Sequence, residues 1–322
     1  MPRRPEPGAA LRLARRAALR ALGAVGVVWA VATLAFAAVR LVPGDPALAI
    51  LGGPGSMATQ AALDQARADH GLDRPLPEQY LAMLGRLAQG DLGESYAQHR
   101  GVGEILAAQL PGTAALAVAA LAVAWCLAGG SLALSALGGR AARAICSALE
   151  VAASAVPSFW LGAVLIAVLG AGLGLPVALG GRGPAGLALP AVTLAIPIAG
   201  FLVQSMRDRM DEALESPFAE AARLRGASEA RIALRHALRH AAIPGVHLSG
   251  WAFGSLVSGA IVVEQVFSRP GLGRTLAQAV ADRDVPLVVG VLIVAAAAYA
   301  AITVIADAAA WALDPREREG AR

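Results

Sequence analysis

The sequence contains no lysine and no asparagine, and all 27 of its basic residues are arginine. A P-loop that binds nucleotide phosphates needs a lysine, so this chain cannot carry that kind of ATP site. Cysteine is scarce as well: Cys126 and Cys146 lie far apart, and we expect small buried residues without a disulfide. Charged residues make up only 16% of the 322 residues, whereas a soluble chain usually has about a quarter.

Long apolar blocks dominate what is present. Apolar residues make up 57% of the chain, and its mean hydropathy is +0.60. Because a run of about 20 apolar residues spans the hydrocarbon core of a bilayer, we predict an all-α integral membrane protein with six transmembrane helices. The predicted spans are approximately 19–41, 112–137, 145–170, 186–206, 244–267 and 285–312.

Arginine is distributed unevenly among the segments that flank these spans. The termini together with segments 138–144 and 207–243 hold 18 arginines, whereas segments 42–111, 171–185 and 268–284 hold eight. Cytoplasmic segments carry the excess of basic residues in membrane proteins, so both termini and 207–243 are predicted to be cytoplasmic. This distribution accounts for the pI of about 9.8 without nucleic-acid binding, which we do not expect.

The predicted topology divides the chain into four parts. They are a basic cytoplasmic N-terminus with span one (1–41), an extracytoplasmic helical segment (42–111), a five-span core that includes the cytoplasmic loop 207–243 (112–312) and a cytoplasmic tail (313–322). In the second part, Thr59 is a suitable N-cap for a helix that ends at His70, with Gly71 at the C′ position. A second helix is expected from about Pro77. Its predicted apolar face comprises Tyr80, Leu81, Leu84 and Leu87. We expect a lid or platform on the outer surface, with an unstructured linker as the alternative.

The loop 207–243 has the pattern of a contact with another protein. Ser216 and Pro217 open a predicted short helix, and Gly226 ends it. Its small residues, which would allow close approach to a groove, are Ala219, Ala221 and Ala222. Glu220 offers one charge for orientation. The alternative is a solvated loop in which Glu220 pairs with an arginine one turn later.

A second helix is predicted in the same loop, from Ser228 to about His240. Its basic stripe comprises Arg231, Arg235 and Arg239, and its apolar stripe comprises Leu234, Leu238 and Ala241. Such a helix can lie along the inner membrane surface with its arginines toward lipid phosphate. His236 and His240 have the spacing of a metal-binding pair, but without a further ligand nearby we favour an interfacial pair and predict no metal site.

Several motifs resemble one family of transport proteins. Glu220, Ala221 and Ala222, followed after three residues by Gly226, resemble the EAA loop of ABC importer permeases. Other motifs resemble the dipeptide/oligopeptide/nickel branch of that family: Pro43-Gly44-Asp45-Pro46, Gly71-Leu72-Asp73-Arg74-Pro75-Leu76, Gly90-Asp91-Leu92-Gly93, Pro157-Ser158-Phe159-Trp160-Leu161-Gly162, Val263-Glu264-Gln265-Val266-Phe267, Pro270-Gly271-Leu272-Gly273-Arg274 and Leu313-Asp314-Pro315-Arg316. Their order along nearly the whole chain strengthens the resemblance.

The resemblance implies a membrane-spanning permease subunit of an ATP-driven importer in a bacterial cell membrane. In that family the EAA loop is the coupling helix, which inserts into a groove on the ATPase. The implied partners are a second homologous permease, P-loop ATPase subunits, an extracytoplasmic solute-binding protein and membrane lipids. The implied cargo is a dipeptide, an oligopeptide, nickel or another metal chelate. We predict no catalytic residues and no cofactor in this chain.

Polar residues in the predicted fifth span are candidates for a translocation path or gate. They are Ser249, Ser255, Ser258 and Glu264, of which Glu264 lies at the outer end of the span. Small residues also allow helices to pack closely in lipid, so packing is the alternative for the serines. Glu150 lies near the predicted cytoplasmic face, where a snorkelling side chain explains it.

Two other functions fit a multi-span protein less well. An ion-coupled secondary transporter would favour internal repeats and charged residues at the membrane midplane, and neither is evident. An intramembrane enzyme would need a catalytic motif, and the sequence has neither G-x-S-x-G nor HExxH. A transport subunit is therefore the predicted function.

Overall fold

The computed structural model describes residues 7–41, 44–53, 55–174, 180–181 and 183–313. Within these ranges the chain is helical and has no β-strand. Thirteen α-helices are described: α1 Pro7–Leu41, α2 Pro46–Ile50, α3 Gln60–Asp69, α4 Leu76–Ala88, α5 Val102–Leu137, α6 Gly139–Ala155, α7 Ser158–Ile166, α8 Pro184–Leu214, α9 Pro217–Leu224, α10 Glu229–Ile232, α11 Leu238–Val266, α12 Leu272–Ala281 and α13 Val285–Leu313. Pro43 and residues 314–322, which include most of the predicted tail, lie outside the described residues.

Several of these helices are long and apolar enough to cross a membrane. Four qualify singly: Val102–Leu137, Pro184–Leu214, Glu229–Val266 and Val285–Ile305. A fifth span would need the bent pair Gly139–Ala155 and Ser158–Gly172, and the shorter apolar helix Val25–Ala38 lies within α1. The chain is therefore an all-α membrane protein with four or five such helices in its described part, while six spans stay a prediction.

The predicted third span, 145–170, is broken into two helices in the structure. Its two halves, α6 and α7, are bent by 104° at Pro157. Proline lacks a backbone N–H and disfavours helical geometry in the residue before it, and Val156 is accordingly extended at φ −79° and ψ 125°. Pro157 thus breaks this span, whereas Pro190 and Pro197 lie inside the single helix α8.

The second loop helix and the fifth span also differ from expectation, because they form one continuous helical segment. Residues Glu229–Val266 comprise α10, a π-helical turn at Ala233–Ala237, and α11. Pro244, where the predicted span began, lies inside α11. At 1.5 Å per residue the 38 residues extend about 57 Å, well beyond a hydrocarbon core of about 30 Å.

The chain divides into two compact units, of which the first comprises 1–108 and 276–300. Its helix caps follow the predicted chemistry. Thr59 accepts a hydrogen bond from the amide of Ala62 at 3.3 Å, and Gly71 has φ +61°. The amide of Leu72 returns to the carbonyl of Arg67 at 2.8 Å, which closes the helix C-terminus.

The packing face of α4 is shifted from the predicted one. Tyr80, Leu84 and Leu87 are half-buried as expected, but Leu81 is exposed and Met83 takes its place. Tyr80 also meets α1, where its hydroxyl lies 2.7 Å from Thr33 Oγ1. The helical platform is thereby joined to α1 through a polar contact as well as through apolar packing.

Two buried clusters hold the first unit together. Ala32 and Ala35 of α1 pack with Val285 and Val289 of α13. The fully buried Asp284 caps α13 by accepting from the amide of Leu287 at 3.2 Å, and it also accepts from the hydroxyl of Ser95 and the amide of Ala97. The carboxylate therefore links the chain before α5 to the start of α13.

The second unit comprises 109–275 and 301–322, and its core is centred on α8. Buried residues of α5, α8 and α11 form one cluster, and many of them are alanine, which lets these helices pack closely. Gly200 marks the approach of α8 to α6, because a Cβ atom there would lie 2.6 Å from the Glu150 carbonyl oxygen. Both thiols are free: Cys146 is buried as expected, and Cys126 is exposed.

Candidate functional site

The predicted contact helix in the loop exists as α9, and its ends are well defined. Ser216 occupies the N-cap position, although its hydroxyl donates to the Ala213 carbonyl oxygen at 2.6 Å and not to a group of α9. Gly226 has φ +82°, and the amide of Ala227 donates to the Ala222 carbonyl oxygen at 3.1 Å. This is the Schellman arrangement, which favours glycine at the C′ position.

Two of the three small residues of α9 are buried inside this chain. Ala219 is completely buried and Ala222 nearly so, and both pack against Ile232 of α10 within this chain. Glu220 is exposed, Ala221 is half-buried and the side chain of Leu224 is 85% exposed. The face of α9 that a partner can reach therefore centres on Glu220 and Leu224, while two of the three alanines fix α9 to its own subunit.

An ion pair holds α9 against the following helix. Arg223 donates two hydrogen bonds to Glu229, from Nε at 2.8 Å and from Nη2 at 3.1 Å, and its Nη1 donates to the Leu214 carbonyl oxygen at 3.1 Å. The bond to Glu229 raises the pKa of Arg223 above its usual value. Arg223 is thus engaged with Glu229, so the alternative pairing with Glu220 is not the one formed.

The stripes of the second loop helix are partly as predicted. Arg231, Arg235 and Arg239 are all exposed, as are His236 and His240. The buried stripe is Ala233, Ala237 and Ala241, because the π turn changes which residues face α8. No group of three metal-ligating side chains occurs among the described residues.

A cleft of about 240 Å³ lies among α6, α7, α8 and α11 in the second unit. Ser154, Ser158 and Ser255 supply polar groups to its wall. Phe201 and Trp251 supply two aromatic rings that contact each other at an interplanar angle of 34°, with centroids 4.3 Å apart. Of the four residues predicted to line a path, Ser255 is the one that this cleft includes.

The other predicted path residues have different surroundings. Ser249 accepts from Trp125 Nε1 at 3.0 Å and donates to the Gly245 carbonyl oxygen at 2.8 Å, so it joins α11 to α5. Ser258 is exposed on α11. Ser249 therefore takes part in helix packing, whereas Ser258 is accessible from outside the chain.

Glu264 is completely buried and hydrogen-bonded on both carboxylate oxygens. Thr113 Oγ1 donates to Oε1 at 2.7 Å, while the amides of Gly273 and Arg274 donate to Oε2 at 2.8 and 3.2 Å. The amide of Leu272 donates in turn to Thr113 Oγ1 at 2.8 Å. The carboxylate therefore fixes the start of α12 to the ends of α5 and α11.

A second carboxylate cluster was missed by sequence reasoning, which treated Glu150 as a snorkelling side chain. Glu150 of α6 is buried and pairs with Arg207 of α8. Ser131 of α5 donates to the same carboxylate, and Arg207 Nη2 donates to Ser135 Oγ at 3.1 Å. The signal available in the sequence was an arginine and a glutamate near the same predicted face, but nothing indicated that they meet.

Arg143 and Asp211 form another ion pair between α6 and α8. The two helices also approach closely at Gly200, and Gln204 donates a hydrogen bond to Ser154 at 3.2 Å. Together with the ion pairs of Glu150 and Arg143, these contacts join α6 and α8 along their length. Because α9 follows α8 after two residues, the loop helix is attached to a pair of helices that two ion pairs hold together.

These features define a helical membrane protein that exposes a short, clamped helix outside its apolar core. Comparison with known proteins identifies the class more closely. A family model described as the binding-protein-dependent transport system inner membrane component matches residues 126–319, and a model for the N-terminal part of such components matches residues 13–117. The chain belongs to this family, whose members are the multi-pass permease subunits of ABC importers in bacterial inner membranes.

Individual relatives agree with the family. A Brucella ovis protein named as a peptide permease is 34% identical over 309 residues, covering 92% of this chain and 97% of the relative. The glutathione transport system permease protein of Pectobacterium atrosepticum is 33% identical over 301 residues, covering 93% and 97%. The similarity therefore extends through both units of the chain.

Proposed function

We propose that this chain translocates peptides as one of two homologous permeases that lie side by side. In this proposal, separate P-loop ATPases drive the transport, and an extracytoplasmic binding protein delivers the cargo. The names of the relatives support the cargo class, and the absence of lysine supports ATP hydrolysis on a separate polypeptide. The chain itself is a transport subunit that changes conformation and has no catalytic residues.

The observation that carries the coupling proposal is the geometry of α9. Its partner-facing side exposes Glu220 and Leu224, while its inner side is buried on Ile232 and tied to Glu229 by Arg223. A movement imposed on the exposed side is therefore transmitted to both α8 and the long helix that begins at Glu229. We assign Glu220, Ala221, Ala222 and Gly226 to ATPase coupling, with Ala222 acting through its packing inside the chain.

The proposed topology has six spans and both termini in the cytoplasm. Its support is the arginine distribution, 18 on the proposed inner side against eight outside. In intact cells, a membrane-impermeant thiol reagent should label a cysteine placed at Gln65 and should not label one placed at Glu229. The opposite labelling pattern would put the α9 loop outside the cell and remove the coupling proposal.

The proposed path follows the serine-lined cleft at Ser255 and the exposed Ser258, between this chain and the second permease. Glu264 is proposed as the outer clamp at the end of that path, since it fixes the start of α12. The switch between inward-facing and outward-facing states is then a shift of packed helices relative to one another.

Charge reversal on α9 tests the coupling proposal directly. Glu220→Arg should reduce peptide uptake severalfold or more, because it reverses the charge on the exposed face. Uptake by cells and co-purification of the ATPase with the permease are both measured. Glu212→Arg is the matched control, because Glu212 is also exposed but belongs to a surface pair with Arg209. Wild-type uptake and ATPase recovery with Glu220→Arg would show that the loop is a passive connector.

A backbone test at Gly226 complements the charge test. Gly226→Leu should cost about 1 kcal/mol, because a residue with a Cβ is disfavoured at positive φ. Among the described residues, no atom beyond the two chain neighbours lies within 4 Å of the added Cβ position, so steric conflict would come from a partner. Gly226→Asn is the control, since asparagine tolerates this conformation. Reduced uptake with Leu and near-normal uptake with Asn are expected, while equal uptake by both would argue against a close partner here.

A further inference from the structure

The first unit contains a cavity of about 320 Å³ that transport coupling does not use. It lies among the end of α1, the turn between α3 and α4, α4 itself and the start of α13. Three arginines line it: Arg40, Arg74 and Arg86. Its volume falls at the lower end of the range typical of small-molecule sites.

Two arginines of this unit that lie away from the cavity have carboxylate partners. Arg67 pairs with Asp45 and Asp64, and Arg100 pairs with Glu104 at 3.6 Å. Neither Arg67 nor Arg100 lines the cavity. The three arginines that do line it form no ion pair within the part of the chain that the structure describes. Arg40, Arg74 and Arg86 thus lack the direct carboxylate partner that Arg67 and Arg100 have.

Arg40 has a buried nitrogen atom that lacks a hydrogen-bond partner among the described residues. Its Nη2 donates to Gln79 Oε1, and its guanidinium lies 4.9 Å from the ring centroid of Phe36. Its Nε is buried and has no hydrogen-bond partner among the described residues. A buried donor without a partner is costly, and it commonly marks the place of a bound water or ion.

Other polar groups at the cavity fit an anionic ligand that also carries a positive group. Tyr96 and His70 line the cavity and contact each other with ring centroids 5.2 Å apart. Burial raises the pKa of the Tyr96 phenol against the opposing effect of Arg86 and Arg40, so the phenol remains a hydrogen-bond donor. Asp69 and Asp91 also line the cavity and can accept from an amino group.

We propose that this cavity binds an oxyanion, a carboxylate or phosphate group, through Arg40, Arg74 and Arg86. Guanidinium groups hold both kinds of oxyanion by charge-assisted and often bidentate hydrogen bonds. The group comes from a small soluble molecule such as a short peptide, or from a phospholipid headgroup beside the end of α1. This site is separate from the serine-lined cleft, and it does not depend on the coupling role of α9.

Hydrogen–deuterium exchange on the full importer complex in lipid nanodiscs tests the site locally. The amides of α4 and of the turn before it are followed while inorganic phosphate or dialanine is titrated in phosphatidylcholine nanodiscs. A second arm replaces part of the lipid with phosphatidylglycerol and omits the soluble anions. Saturable protection in the first arm supports a soluble ligand, and protection in the second arm supports a lipid headgroup.

Arginine variants test whether these side chains bind the oxyanion. The double variant Arg74→Gln/Arg86→Gln should raise the half-saturating concentration at least about tenfold, since charge-assisted hydrogen bonds are lost. Both side chains are exposed, so the fold should tolerate the change. Arg100→Gln is the matched control from the same unit and should leave binding unchanged. Absence of protection in both arms, or equal weakening by Arg100→Gln, would overturn the proposal and leave a water molecule as the partner of Arg40.

Discussion

Two buried carboxylates in the second unit are stabilised in different ways. Glu150 is neutralised by one full charge, that of Arg207, with a serine hydroxyl in support. Glu264 is held by three uncharged donors, Thr113 and two backbone amides at the start of α12. The first arrangement depends on a single side chain of another helix. The second arrangement distributes the stabilisation of the carboxylate over three hydrogen bonds, two of which come from backbone amides.

This difference also separates what each cluster does. The Glu150 cluster joins α5, α6 and α8, and α8 leads after two residues into α9. The Glu264 cluster fixes the turn between α11 and α12, at the far end from α9 of the long helical segment Glu229–Val266. An ion pair can be broken and reformed as helices shift, whereas a carboxylate enclosed by backbone amides holds one geometry. We therefore expect the two sites to respond differently to the same substitution.

The largest effect is expected from Glu150→Gln. It leaves the guanidinium of Arg207, whose side chain is 13% exposed, without its neutralising charge. Removing one partner of a buried ion pair typically costs about 3–5 kcal/mol of the free energy of unfolding. The midpoint and free energy of denaturant-induced unfolding of the purified protein in micelles measure this cost.

Two controls sharpen the result for Glu150. Glu212→Gln alters an exposed pair with Arg209 and should cost about 0–1 kcal/mol. The double variant Glu150→Gln/Arg207→Gln removes both charges and should recover much of the lost stability, because neither side is left as a buried unpaired ion. If the double variant were as unstable as Glu150→Gln, the ion pair would not be the source of the stabilisation.

A smaller effect is expected from Glu264→Gln. The amide oxygen of glutamine can still accept the two backbone bonds, and its amino group can donate to Thr113 Oγ1 once that hydroxyl rotates, so the expected cost is about 1 kcal/mol. The same unfolding measurement applies. A loss larger than that of Glu150→Gln would reverse the comparison and show that Glu264 is the more important anchor.

Local chemistry made some of these features predictable. The caps at Thr59 and Gly71, and the glycine at 226, were recognisable because each depends on residues within one turn of the helix end. The break at Pro157 belongs to the same group, since proline acts on its immediate neighbour. The family was recognisable because many short motifs occur in order.

Long-range contacts were not predictable from one sequence. Glu150 and Arg207 are 57 residues apart, and Thr113 and Glu264 are 151 residues apart. Apolar periodicity places each residue on a helix but does not say which other helix that residue faces. The inner face of α9 was misread for the same reason, since Ala219 and Ala222 pack on Ile232, whose position depends on the turn between the two helices.

The π turn at Ala233–Ala237 has a geometric consequence for the long helix that contains it. A π turn holds one residue more than an α-helical turn, so the residues on either side are rotated by about 100° relative to an uninterrupted helix. Ile232, before the turn, packs with α9, while Ala237 and Ala241 pack in the helical core. A single additional residue thus sets the angle, about the axis of this long helix, between the face that packs on α9 and the face that packs in the helical core.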